Sequence, residues 1–127
     1  MCAPARYLLA ANLLVMASAA SADNSAYVEL QGPELTQGRT LWLANCETCH
    51  GYGIAGAPIP MQASEWAPRL EKGKSVLYDH AINGYFGPDD SMMPERGGNP
   101  DLTDQEVMSA VDYMTALAAY YIQLERK

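Results

Sequence analysis

The chain has 127 residues, 49% of them hydrophobic, and carries 15 Asp and Glu against 8 Lys and Arg, a formal charge of −7. That length suits one domain rather than two. The acidic balance argues against nucleic acid or an anionic membrane as partner and suits a protein that meets basic patches on other proteins.

Residues 1–22 hold one charge, Arg6, then an apolar run from Tyr7 to Ala17, and end in Ala20-Ser21-Ala22. This is the layout of a secretory signal peptide cleaved before Asp23. The run is short for a membrane span; an uncleaved anchor is the alternative. Cys2 precedes the run, away from a lipoprotein-type acceptor position, and leaves with the leader. The expected organisation is therefore 1–22 as leader and 23–127 as one periplasmic domain, one charge more acidic than the whole chain, with no stable membrane insertion after cleavage.

Thr36 is placed to cap a first helix from Gln37 into Cys46, with Leu41, Trp42 and Ala44 apolar. Residues 51–62 read as loop. A short helix around Ala63–Glu71 includes Trp66, and Lys74–Asn83 reads as another, with Val76, Leu77, Ala81 and Ile82 apolar and Gly84 closing it. Residues 84–101 are again loop. Thr103 and Glu106 form a capping box. The last helix follows with Val107, Ala110, Val111, Met114, Leu117, Ala118 and Tyr121 at three-to-four spacing, running to about Leu124. No strand pattern and no repeat is visible, so the expected fold class is all-α with long loops. Such a chain has a small apolar core.

The cysteines carry the strongest signal. Cys46 and Cys49 stand two residues apart, and His50 completes C-x-x-C-H, the attachment sequence of c-type haem. Each thiol adds to one vinyl group on the same porphyrin edge, and the adjacent imidazole then lies beneath the iron. A disulfide leaves His50 unexplained. A thioredoxin-like pair lacks its βαβ surroundings, and a zinc site lacks a second paired motif. One covalent haem c is the expected cofactor; being large, flat and apolar, it completes the core, and the chain without it should be poorly folded.

The second axial ligand has several candidates: Met61, Met92, Met93, Met108, Met114 and His80. Met108 and Met114 fall on the last helix, where packing is the ordinary role. His80 falls within a helix, where an exposed position is the default. Met92 and Met93 lie in an irregular loop before Pro94, able to swing a thioether over the far ring face.

Gly38, Trp42, Cys46–His50, Gly56-Ala57-Pro58, Trp66-Ala67-Pro68-Arg69-Leu70, Met93-Pro94-Glu95-Arg96-Gly97-Gly98 and Leu102-Thr103-Asp104 form one ordered series. It resembles the class I cytochromes c, most of all the small bacterial "c-five" branch, over nearly all of residues 23–127. The resemblance implies about four helices and long loops around one haem, with Met93 as distal ligand. It implies a Pro58 carbonyl accepting from the far ring nitrogen of His50, Trp66 near the haem edge, and Arg69 toward a haem propionate. Gly38 and Trp42 become the close contact with the last helix near Ala110 and Tyr113. Glu95 departs from the branch, which has a proline or small residue there, and implies a less rigid loop. Histidine–methionine ligation fills both axial positions, so the resemblance implies a single-electron carrier without a catalytic site of its own, serving redox proteins as donor and acceptor. The alternative is a haem subunit held in a larger catalytic complex, for which the extension Ala116–Lys127, with Tyr120 and Tyr121, is the motivating feature.

Overall fold

The computed structural model describes residues 27–127; the expected leader and Cys2 lie outside the described residues. Helix α1 spans Pro33–Asn45, four residues longer at its start than the cap at Thr36 suggested. Pro33 occupies the first turn, where its fixed φ favours a helix and its missing N–H costs nothing. Thr36 lies inside the helix, its hydroxyl donating to the Gly32 carbonyl at 3.0 Å. The helix ends where Cys46 moves to φ −117. A short α2 follows, Glu47–His50.

Helices α3 (Ala63–Leu70) and α4 (Lys74–Asn83) lie close to their expected bounds. α5 runs from Asp104 to Glu125 behind the Thr103–Glu106 capping box. The expectation of no strand is corrected: β1 (Tyr85–Phe86) pairs antiparallel with β2 (Met92–Met93), Tyr85 opposite Met93 and Phe86 opposite Met92. Two residues per strand are too few for alternation to show in a sequence. Asp89 and Asp90 turn the hairpin at φ 56 and 58, a region short polar side chains enter more readily than most. The Gly87 N–H donates to the Ser91 carbonyl at 2.8 Å.

The most extensive helix pair is α1 on α5. It builds a core from Trp42, Tyr113, Leu117 and Ala118, joined by Tyr27 and by Trp66 of α3. A second cluster of Ala81, Val107 and Val111 joins α4 to α5 and receives Met93. Within the expected extension, Leu117 and Ala118 are buried and Tyr121 and Ile122 pack against the first core, while residues 123–127 are exposed. Among the described residues no helix is long and apolar enough to cross a membrane.

Candidate functional site

The geometry begins at the α1–α2 junction. One helical turn carries Cys46, Cys49 and His50: the His50 N–H donates to the Cys46 carbonyl at 2.9 Å and that of Cys49 at 3.2 Å. Cys46 and Cys49 form no disulfide with one another. Burial, helped by the neighbouring Cys49, pushes the Cys46 thiol up to about 11.

The His50 side chain is buried, and its Nδ1 lies 2.9 Å from the Pro58 carbonyl. That oxygen only accepts, so Nδ1 carries the proton and Nε2 keeps its lone pair. Burial lowers the imidazole below its ordinary pKa; the Pro58 bond opposes this and the Arg69 guanidinium adds to it. The ring is therefore held neutral, the form that coordinates a metal. The loop bearing Pro58 is itself fastened: the Ile59 N–H donates to Oε2 of Glu65 at 2.8 Å. Nothing in the residues around Glu65 singles it out; its role appears only when α3 folds back on the loop.

His50 and Cys49 line a cavity of about 330 Å³. Pro58, Trp66, Arg69 and Met93 line it too, so six of the seven residues singled out in the sequence converge on one space. The seventh, Cys46, is half-buried against the Trp42 core one turn before Cys49. The other walls include Ala81, Val111 and Met114. Of the remaining ligand candidates, Met61 packs on the first core, and Met92 lines the cavity beside Met93 but is half exposed. His80 is not simply a surface residue: it lines the cavity and stacks on Tyr85, ring centroids 3.9 Å apart. Its helix register was legible, but the fold-back of β1 onto α4 was not.

Met93 arrives from the opposite side of the chain. β2 fixes it against Tyr85, and Gly84, at φ 82, lets the end of α4 approach; a β-carbon there would stand 3.0 Å from the Met93 carbonyl. The segment after Pro94 is held without a second proline. Arg96 Nη1 donates to the Leu102 carbonyl at 2.8 Å, its Nη2 pairs with Asp104 at 2.6 Å, and Asn99 donates to Asn45 at 2.8 Å.

A haem fits this donor set. The cavity offers thiol and imidazole on one side, a thioether on another and apolar walls between. Trp66 Nε1 is buried without a hydrogen-bond partner and, like Arg69, belongs to a residue on the cavity wall; these are the donors a haem carboxylate would need.

A helical shell closing over such a cavity, with C-x-x-C-H on its wall, defines a covalent haem c electron carrier that exchanges electrons with other redox proteins. A family model described as "Cytochrome C oxidase, cbb3-type, subunit III" matches residues 33–114. The chain belongs to that family of haem c domains, as a class I monohaem cytochrome c. It is 43% identical over 84 residues to cytochrome c-555 of Prosthecochloris aestuarii, covering 64% of this chain and 85% of that protein. It is 31% identical over 75 residues to cytochrome c5 of Ectopseudomonas mendocina, covering 58% and 80%. The structure also resembles a chain in a solved electron-transfer complex of nitrite reductase with cytochrome c. There the TM-score is 0.58 and the identity 31%, over 70% of this chain and 99% of that one.

Proposed function

We propose that His50 and Met93 are the two axial ligands of a six-coordinate haem c, and that the protein is a freely diffusing periplasmic shuttle for single electrons. Residues 1–22 act as its export leader and 23–127 as its working domain. The observation that carries this reading is that His50 and Met93, from separate segments, line one cavity; of the two other thioethers on its wall, Met92 is half exposed and Met114 is packed in the α1–α5 core.

The haem supplies one-electron iron chemistry, with a potential raised by methionine ligation. The chain's residues do the rest. Cys46 and Cys49 fix the ring by thioethers, and Pro58 orients the His50 imidazole and makes it a stronger ligand. Trp66 Nε1 and the Arg69 guanidinium, on the cavity wall, would donate to the haem carboxylates. The apolar walls would exclude water, and with His50 and Met93 both holding the iron no site would remain for oxygen or peroxide. The relative in the solved complex meets nitrite reductase; by analogy the partners of this chain are redox enzymes engaged transiently. Permanent incorporation in an enzyme complex has less support, because Tyr121 and Ile122 are spent on the interior.

The test is the oxidised holoprotein's weak red absorption band from a sulfur–iron(III) bond. It should be present, survive Met92→Ala and vanish in Met93→Ala. A band that survives Met93→Ala, or reduced protein that takes up carbon monoxide at neutral pH, would overturn the ligand assignment. Co-purification with a larger subunit at high salt would overturn the free shuttle.

A further inference from the structure

Phe86 is the protein's sole phenylalanine, and it is 82% exposed. Its place in the hairpin explains why. Strand side chains alternate between faces. Tyr85 and Met93 form one opposed pair, Tyr85 stacking on His80 and Met93 packing on the Ala81 cluster. The next pair, Phe86 and Met92, falls on the outer face: Phe86 lies off the cavity wall, and Met92 reaches the cavity's edge while remaining 50% exposed. Opposed residues of an antiparallel pair share a face with their β-carbons about 5 Å apart. The hairpin thus presents an aromatic ring and a thioether side by side, one residue along the chain from Met93.

The surroundings of this pair are acidic. Phe86 and Met92 line a shallow recess together with Asp79 and Glu95. Asp89 and Asp90 form the hairpin turn between them. The nearby basic groups do not balance these four carboxylates. Lys72 lies over the Tyr85 ring at 5.9 Å, and the Arg96 guanidinium is engaged by Leu102 and Asp104.

We infer that the Phe86–Met92 face of the hairpin is the docking surface for a redox protein whose own docking face is an apolar patch rimmed by Lys and Arg. The inference rests on the electron-carrier reading and names which surface of the carrier makes contact. An aromatic anchor inside a rim of charge is the usual anatomy of an interface core, with the charges acting mainly on encounter rate and choice of partner. A second copy of this chain would oppose four carboxylates to four and is disfavoured.

The experiment measures second-order electron transfer from the reduced holoprotein by stopped flow. The acceptors are a lysine-rimmed mitochondrial cytochrome c, as a basic probe, and hexaammineruthenium(III), as a small reagent. Phe86→Ser should slow transfer to the basic protein about tenfold at fixed salt, the scale of a lost aromatic anchor, and leave transfer to ruthenium and the sulfur–iron band unchanged. Glu95→Gln with Asp89→Asn and Asp90→Asn should flatten the salt dependence with the protein acceptor. Equal slowing with both acceptors would place the effect at the haem and overturn the docking role. Unaltered transfer to the protein, an unaltered salt dependence, or a Phe86-dependent dimer in sedimentation would also overturn it. Failure of the parent protein to reduce ruthenium would instead refute the electron-carrier reading itself.

Discussion

Gly38 of α1 rests on the carbonyl oxygen of Ser109 in α5. A β-carbon at Gly38 would overlap that oxygen and stand 3.0 Å from Cβ of Tyr113. Glycine inside a helix is costly relative to alanine, so its place here follows from the close approach of the two backbones. Backbone cannot move aside as a side chain can. Gly38→Ala should therefore destabilise the holoprotein by about 1–3 kcal/mol, the usual cost of overpacking, in guanidinium denaturation, with the haem spectrum unchanged. A variant as stable as the parent would show that the helices are not held at this spacing.

Glu65 acts on the proposed haem ligand, His50, through two steps. It accepts the Ile59 N–H, and the adjacent Pro58 carbonyl accepts from His50. That second bond makes the imidazole a stronger donor to iron and favours the oxidised state. Glu65→Ala should loosen the loop, raise the reduction potential and cost about 1 kcal/mol. Glu65→Gln keeps an acceptor and should restore most of both. Voltammetry of the pair decides: equal potentials in parent and Ala variant would leave Glu65 a purely local tie.

Thr103 starts α5 with reciprocal bonds. Its N–H donates to Glu106 Oε2 at 2.8 Å, and the Glu106 N–H donates to Thr103 Oγ1 at 3.3 Å. Removing the hydroxyl in Thr103→Ala should cost about 1 kcal/mol, read as a lower thermal midpoint. No loss would mean that packing on α1 alone fixes where the helix begins.

That cap was legible because all its parts lie within four residues, and C-x-x-C-H was legible for the same reason. The start of α1 was misplaced because Thr36 offered a cap signal while Pro33, three residues earlier, offered a competing one. β1 and β2 were missed because a two-residue strand has no period. The contact Glu65 makes with the loop, the stacking of His80 on Tyr85 and the approach of Gly84 to Met93 depend on segments separated in sequence meeting in space, and nothing local marks those contacts. The convergence of Pro58, Trp66, Arg69 and Met93 was legible only through a family pattern; residue type alone left six candidates for the second ligand.

Tyr78 ties α4 to α5, donating to Asp112 at 2.5 Å beside the Lys74–Asp112 pair. Burial first, then the Asp112 bond, raises its pKa to about 12. Tyr27 is raised in the same way by burial and by Glu47. A folded-state pKa above the unfolded value contributes fully below the unfolded tyrosine pKa of about 10 and is lost as pH rises through the folded one. Stability should thus decline above about pH 10, and Tyr78→Phe should flatten part of that decline in urea melts taken across the alkaline range. An identical slope in parent and variant would exclude Tyr78 as a source.

The haem is a structural part of the molecule as well as its redox centre, and the cavity volume shows how much. Left as a void, about 330 Å³ at about 24 cal/mol per Å³ comes to about 8 kcal/mol as an upper figure, comparable to the whole stability of a small domain. Cys46→Ala with Cys49→Ala removes the covalent attachment and should yield a haem-free chain that does not melt cooperatively. The loss should be uneven. α1 and α5 meet through Gly38, Trp42, Tyr113 and Leu117, none of which lines the cavity, whereas α3 and α4 supply its walls through Trp66, Arg69, His80 and Ala81. Amide exchange in the double variant should therefore keep residual protection in α1 and α5 and lose it in α3 and α4. Uniform protection with a sharp thermal transition would show that the chain folds on its own and that the haem is added to a finished structure.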